Sequence, residues 1–223
     1  MMRTLDISRP LRNPEDILCQ VPAELPLYEG FACEEYRHEF RSHTGCYFET
    51  SAHLFRDGTV TDDVPVEQLF MPTLVARLAP NRRGAIEPEE IENALVESVN
   101  PGDALIVDTG ATEGRHFARP CGPWLAEREA SLLAASLTRY DTGFEPPTGI
   151  FVELFRAGIP ILAGIQNLGQ IEHERAFLIV LPLRIERVCT TPCRAVVLDG
   201  ERWEVQLLTK LLRPDLVVPN RVG

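Results

Sequence analysis

His43-Thr-Gly-Cys-Tyr-Phe-Glu-Thr-Ser-Ala-His53-Leu-Phe55 is the stretch whose reading decides both the fold and the chemistry of this chain. It sets two imidazoles and a carboxylate within eleven residues. If the segment from His43 to Glu49 is extended, its side chains alternate between two faces. His43, Gly45, Tyr47 and Glu49 then share one face, and Thr44, Cys46 and Phe48 share the other. Phe48 points to a core and Glu49 to a cavity, while His53, one short turn beyond, folds back toward the same space. A histidine held by a carboxylate is a general acid–base unit, because the carboxylate orients the ring and stabilises its protonated form. The same residues also read as two core histidines satisfied by backbone, with Glu49 on a solvated edge. An isolated His-x5-Glu-x3-His does not choose between the two.

Upstream, Thr4-Leu-Asp-Ile-Ser8 alternates like a strand, residues 9–31 read as an irregular arm or lid, and Glu34 to Phe40 alternates again. Downstream, Val66 to Ala79 is mostly apolar with a break at Pro72, and Glu87 to Val99 has helical spacing with acidic residues in its first turn. Asn100-Pro-Gly-Asp103 is a turn and Ala104 to Val107 a short buried strand. Trp124 to Leu137 has helical spacing. Arg139 to Thr142 reads as a strand end and Gly149 to Phe155 as an apolar segment. Ile159 to Ala163, Ala176 to Leu183 and Cys193 to Leu198 read as strands, and Trp203 to Leu212 closes the chain. Short strands alternating with two long helices predict a mixed α/β domain without a clean βαβ series.

The 223 residues suit one domain, 1–223, with ample apolar material for a core. A formal net charge of −11 argues against nucleic acid and against an anionic membrane surface as partners. No apolar run approaches a membrane span or a secretory leader, so the expected location is cytoplasmic. Six cysteines, none in a Cys-x-x-Cys pair, then read as reduced thiols. Cys46 sits opposite His43 and Glu49 by parity, which suits a structural thiol better than a nucleophile. Lys210 is the sole lysine and the one candidate for Schiff-base chemistry.

The quoted stretch resembles the signature of the cyclase family that includes kynurenine formamidase and isatin hydrolase, His-Thr-Gly-Thr-His-x-Asp-Ala-Pro-x-His-Phe. Weaker matches follow in order: Leu5 to Leu11 is similar to that family's first strand, Pro101 to Gly110 to its central strand and turn, and Tyr140-Asp-Thr142 to its Gly-x-Asp-Thr element. Gly158 to Leu168 is similar to its Ile-Pro-Ile-x-Glu-x-Leu-x-Asn-Leu segment. Leu181 to Glu186 and Pro192 to Val197 are similar to its closing elements. The resemblance implies an α/β domain with a β-rich, barrel-like centre flanked by helices, and a homodimer or larger homo-oligomer in which the 9–31 arm reaches a neighbour or covers the pocket.

By that resemblance the family holds zinc or manganese through the first two signature histidines, the aspartate, and a later histidine and glutamate, with the third signature histidine as acid–base. Carried over, His43 keeps the first ligand position and His53 the acid–base position. Tyr47 replaces the second histidine, and Glu49 replaces the aspartate with a longer arm. Phe151 and Ala163 fall where the later ligands belong. A ring and a methyl group donate nothing to a metal, and such sites need at least three good donors. The expectation is therefore no tightly bound metal and no other cofactor. His53, Glu49 and His43 are the catalytic candidates, and Tyr47, Phe151 and Ala163 line an apolar pocket for a small-molecule substrate. Tyr47 either donates to a developing oxyanion or fills the space of an ion, and the apolar surroundings should raise the pKa of Glu49.

Without a metal, Lewis-acid polarisation is lost but proton transfer is not. The leading expectation is a metal-independent enzyme of specialised metabolism that cyclises, dehydrates or opens an activated ester. A metal-dependent amide or lactone hydrolase, its site re-supplied by His116, His173 or a cysteine, is one alternative. A non-catalytic ligand-binding homologue is the other.

Overall fold

The structure is a computed structural model, and it describes residues 1–20, 24–28, 31–34, 36–110, 114–137, 139–141 and 149–217, with backbone alone at 20, 24–28 and 31–34. In chain order the strands before the first helix are β1 (Arg3–Asp6), β2 (Ile17–Gln20), β3 (Glu24–Tyr28), β4 (Phe31–Glu34), β5 (Arg37–Phe40), β6 (Tyr47–Glu49), β7 (Phe70–Arg77) and β8 (Gly84–Ile86). Then come α1 (Pro88–Ala94), β9 (Ala104–Asp108), β10 (Arg115–Phe117), α2 (Cys121–Glu127), β11 (Leu132–Ala135), α3 (Ile150–Arg156) and β12 (Ile161–Ala163). β13 (Arg175–Pro182), β14 (Thr190–Asp199) and α4 (Arg202–Leu212) close the fold.

Seven strands form a closed barrel in the order β14-β13-β7-β9-β11-β12-β6, shut by pairing of β6 with β14, and β1 adds to the far side of β14. β7, β9, β11 and β12 run parallel, and α1, α2 and α3 lie in the connections between them. This stretch is a βαβ series, contrary to the sequence reading. Parallel strands covered by helices are buried on both faces and so carry unbroken apolar runs rather than alternation. Met71, Val75, Ile106, Leu132 and Leu162 pack together with Phe48 inside the barrel. Their neighbours Leu74, Leu105, Leu133 and Ile161 pack outward with Ile91, Leu125 and Leu154 of the helices.

That burial also explains the largest error of the helical reading. The helix expected over Trp124–Leu137 ends at Glu127, and Leu132–Ala135 is a strand with all four residues buried. Glu129 takes a left-handed φ of 52° between them. Leucine and alanine favour helices only weakly, and a slot between two parallel neighbours overrides that preference. The helix expected over Glu87–Val99 stops at Ala94, after which Leu95 is extended. β7 runs through Pro72, where a break was expected. Pro72 pairs with Phe177, one residue before the β9 ladder starts at Thr73, so no N–H is needed there on the β9 side.

The arm 9–31 is not irregular throughout. β2 pairs with β5 and β3 with β4, both antiparallel, and β5 ends shortly before His43. Residues 21–23 and 29–30 of the arm lie outside the described residues, as does Thr142 of the expected Tyr140–Thr142 element. Residues 139–141 are not in a strand. Among the described residues, no helix is long and apolar enough to cross a membrane.

Candidate active site

The site forms on the outer, helix-facing side of β6. That strand is held between β12 and β14, with Tyr47 opposite Ala163 and Pro192, and Glu49 opposite Ile161 and Thr190. Phe48, 1% exposed, goes into the barrel, so Tyr47 and Glu49 face the other way. The alternation expected back to His43 does not hold. Gly45 has φ 68°, and the chain turns there rather than extending. A Cβ on Gly164 would stand 1.8 Å from the Gly45 carbonyl oxygen, so the backbone crossing at the base of β6 requires glycine. The turn nevertheless brings His43 back over Glu49.

Beyond β6, the Thr50 N–H donates to the Cys189 carbonyl at 2.9 Å. A 3-10 turn over Ser51–His53 follows, with the His53 N–H donating to the Thr50 carbonyl at 3.0 Å. This single turn folds His53 onto Glu49. His53 Nδ1 lies 2.9 Å and His43 Nε2 3.3 Å from the same oxygen, Glu49 Oε1. The imidazole centroids are 5.2 Å apart at 69°, and His43 Nδ1 is 3.0 Å from Ser42 Oγ. The Glu49 side chain is 4% exposed, while His43 and His53 are 42% and 37% exposed, so the carboxylate is the buried anchor of two half-open rings.

Charge follows from that placement. Hydrogen bonding to Glu49, against the opposing effect of burial, pushes His53 up to about 9. Burial alone would raise Glu49, but hydrogen bonds from His43 and His53 outweigh it and hold the carboxyl below its ordinary value. The expected upward shift of Glu49 is thus reversed, because the apolar surroundings are outweighed by the two imidazole hydrogen bonds on its carboxylate. Burial pushes the Tyr47 phenol up to about 12, so it stays protonated.

The wall beside the triad is aromatic. Tyr47 meets His43 edge-on at 5.1 Å and Phe155 meets His53 at 6.5 Å. Phe151 packs on Phe155 at 5.8 Å and stacks on Tyr140 at 6.1 Å, and the Tyr140 hydroxyl donates to the Leu162 carbonyl at 2.6 Å. Phe151 and Ala163 are therefore brought to this wall, Ala163 across the strand from Tyr47 and Phe151 behind Phe155. Cys189 Sγ, 3.9 Å from His53 Nδ1, is a neighbour that no linear spacing announces, because closure of β6 onto β14 puts it there. Cys46, as expected, points away, buried among the barrel residues.

The donor set differs from the one the family resemblance implies. His43, Glu49 and His53 offer donor atoms within 4.8 Å of one another. Tyr47 keeps its proton, Phe151 and Ala163 have none of the required atoms, and the residues do not fit the five-donor set that the family resemblance implies. His116 and His173 supply nothing here: His116 lies on β10 beside β8, and His173 Nδ1 is 2.8 Å from Asp199 Oδ1 at β14. A three-donor ion would occupy the very nitrogens that hold Glu49.

Residues 5–142 match the family model described as "Putative cyclase". No curated protein sequence matches the chain. Among solved structures it is similar to isatin hydrolase A from Labrenzia aggregata bound to benzyl benzoate, with a TM-score of 0.76, 19% identity, and 90% of this chain and 94% of that one covered. It is also similar to a potential metal-dependent hydrolase with cyclase activity (TM-score 0.73, 19% identity, 90% and 100% covered). A predicted metal-dependent hydrolase from Bacillus stearothermophilus gives a TM-score of 0.72 at 19% identity, with 90% and 100% covered. At such identities the likeness is one of fold.

Proposed function

The chain belongs to the cyclase family, and on that premise we propose that it is a metal-independent acid–base enzyme acting on a reactive small molecule. The observation that carries this reading is the single oxygen, Glu49 Oε1, shared by two imidazoles. His53 is the proton carrier. With Nδ1 held by Glu49, Nε2 is left to exchange the proton with substrate. Because His53 is pushed up to about 9, it begins the cycle protonated at neutral pH and acts first as a general acid. Glu49 then steadies the ring as the charge leaves it. His43, engaged by Glu49 and Ser42 through its two nitrogens, is a positioning residue. Phe155, Phe151 and Tyr47 make the wall beside the two imidazoles aromatic, which suits an aromatic or polyene-like substrate. Ring closure, dehydration and opening of an activated ester are the reactions such a site serves, and specialised metabolism is the setting where they recur.

A second reading, hydrolysis by a metal on His43, Glu49 and His53, is favoured by the convergence of those three donors. The two readings separate in one experiment. The purified chain is dialysed against EDTA, its zinc and manganese are measured, and its turnover of a panel of activated aryl esters and small lactones is followed. Turnover unchanged by the chelator and lost in His53→Ala is the expected result. A stoichiometric ion that survives dialysis, with turnover that disappears when it is stripped, overturns the first reading in favour of the second.

A further inference from the structure

Two thiols meet on the inner face of the wall whose outer face carries the site. Cys46, the residue before β6, and Cys193 of β14 have their sulfurs 3.6 Å apart. The Cys193 N–H donates to the Cys46 carbonyl at 2.9 Å, so the two residues stand opposite each other, one step beyond the Tyr47–Pro192 pair. Opposed residues on antiparallel strands have Cα atoms about 4.5–5.5 Å apart, inside the span of roughly 4.4–6.8 Å that a disulfide bridges. Cys46 is 2% exposed, whereas Cys193 is only partly buried. Cys121 is different, because its thiol donates to the Ile86 carbonyl at 3.1 Å deep in the helix-side core.

We propose that Cys46 and Cys193 are an oxidisable pair whose disulfide fastens the strand bearing Tyr47 and Glu49 to β14 and shifts the turn that carries His43. A hydroperoxide supplies the oxidation. The Cys193 thiolate attacks the peroxide, the O–O bond breaks, and a sulfenic acid forms as water or an alcohol leaves. The Cys46 thiolate then attacks that sulfur, the S–S bond forms, the S–O bond breaks and water leaves. Two thiols and one hydroperoxide become one disulfide, one water and one alcohol (or a second water). The hydrogen bond with Cys46 and burial both push the Cys193 thiol up, so thiolate is scarce and the pair answers to sustained rather than brief oxidant.

Closure draws the sulfurs together by roughly 1.5 Å, from van der Waals contact to the ~2.05 Å of a covalent bond. The inner barrel packing resists movement of β14, whereas Gly45, next to Cys46, is a turn residue at φ 68°. Displacement therefore passes toward His43. This inference does not require His53 to be catalytic.

The full chain is incubated with millimolar hydrogen peroxide at pH 8, quenched with an alkylating reagent and digested without reductant, while imidazole proton signals are followed by NMR. The expected result has three parts: a Cys46–Cys193 linked peptide that dithiothreitol removes, a Tm higher by about 5–10 °C from closing so long a loop, and shifted His43 signals. Cys193→Ser, or Cys193→Ala if that variant folds poorly, should show no link and no peroxide-induced shift. Over-oxidation of Cys193 to sulfinic acid without a link overturns the pair. A link that leaves the imidazole signals in place overturns the coupling to the site.

Discussion

Glu49 and Asp199 are both buried carboxylates that touch a histidine, and they do opposite things. The Asp199 side chain is fully buried and takes backbone N–H groups from Glu172 at 3.0 Å and His173 at 3.1 Å. It also takes the Arg3 guanidinium and His173 Nδ1. Burial opposes its ionisation, but these donors win and hold it down at about 2. Arg3 and Asp199 face each other across β1 and β14, so this carboxylate pins the first strand to the barrel. Among the described residues, the Glu49 carboxylate is held instead by two imidazoles that share one of its oxygens. A carboxylate whose donors include a guanidinium and two backbone N–H groups, none of which titrates at ordinary pH, is a clasp. One held by two imidazoles, which do titrate there, is a proton relay.

The sharpest way to break the contrast is Glu49→Gln, which keeps the size and removes the charge. Turnover should fall by about 10²–10⁴, the usual worth of a positioned acid–base group. His53 should titrate near the ordinary ~6.5 rather than about 9, as read by NMR. If His53 stays near 9 in this variant, Glu49 is not what holds its proton and the relay reading fails.

Asp199→Ala should do the reverse. Removing one member of a buried ion-paired network costs about 3–5 kcal/mol, seen as a lower urea midpoint, while turnover per folded molecule is unchanged. The acid limb has a definite sign. Asp199 is depressed from 3.8 to about 2 on folding, so its stabilisation is complete above the unfolded value and is lost as pH falls through about 2. The wild type should lose about 2 kcal/mol across that window relative to Asp199→Asn. Parallel acid curves for the two proteins would remove Asp199 from its role as clasp.

The same contrast explains what could be read from sequence. The His43–His53 segment was legible because its partners are close along the chain and one turn suffices to join them. The strands read at Ala104–Val107, Ala176–Leu183 and Cys193–Leu198 were legible because β-branched and leucine runs between turn signals have few other uses, whereas Thr190–Pro192, which closes the barrel on β6, was not. Leu132–Ala135 was not, because Leu-Leu-Ala-Ala has no strand signature and only its slot between β9 and β12 makes it one. Asp199 and His173 gave no signal, since the clasp joins residues 26 and 196 positions apart. Cys189 and Cys193 come to the site wall only through barrel closure, which no local pattern encodes.

Tyr47 refines the picture on the relay side. Its phenol, pushed up to about 12, keeps its proton throughout the working range. If it donates to a developing oxyanion, Tyr47→Phe should lower kcat by about 10²–10³ with KM little changed, as loss of one such bond does. If Tyr47 only fills space beside His43, kcat should be unaltered, because phenylalanine fills the same volume. Comparison of kcat for the two proteins on one activated ester decides it.

The smallest expected effect is the stability carried by His53, and its sign distinguishes relay from clasp most directly. The ring is raised from 6.5 to about 9 on folding, chiefly by its hydrogen bond to Glu49. A group raised in this way stabilises fully below the unfolded value, and the contribution is lost as pH rises through about 9. More than a third of the ring is exposed, so solvent screening cuts the gain to about 1 kcal/mol or less. Urea midpoints of the wild type and His53→Gln, taken at pH 6 and pH 10, should therefore converge as pH rises. The clasp shows its pH dependence at the acid end and the relay at the alkaline end. A His53→Gln difference that is constant from pH 6 to pH 10 would mean that the ring contributes packing alone, and that the shared oxygen of Glu49 does not store a proton.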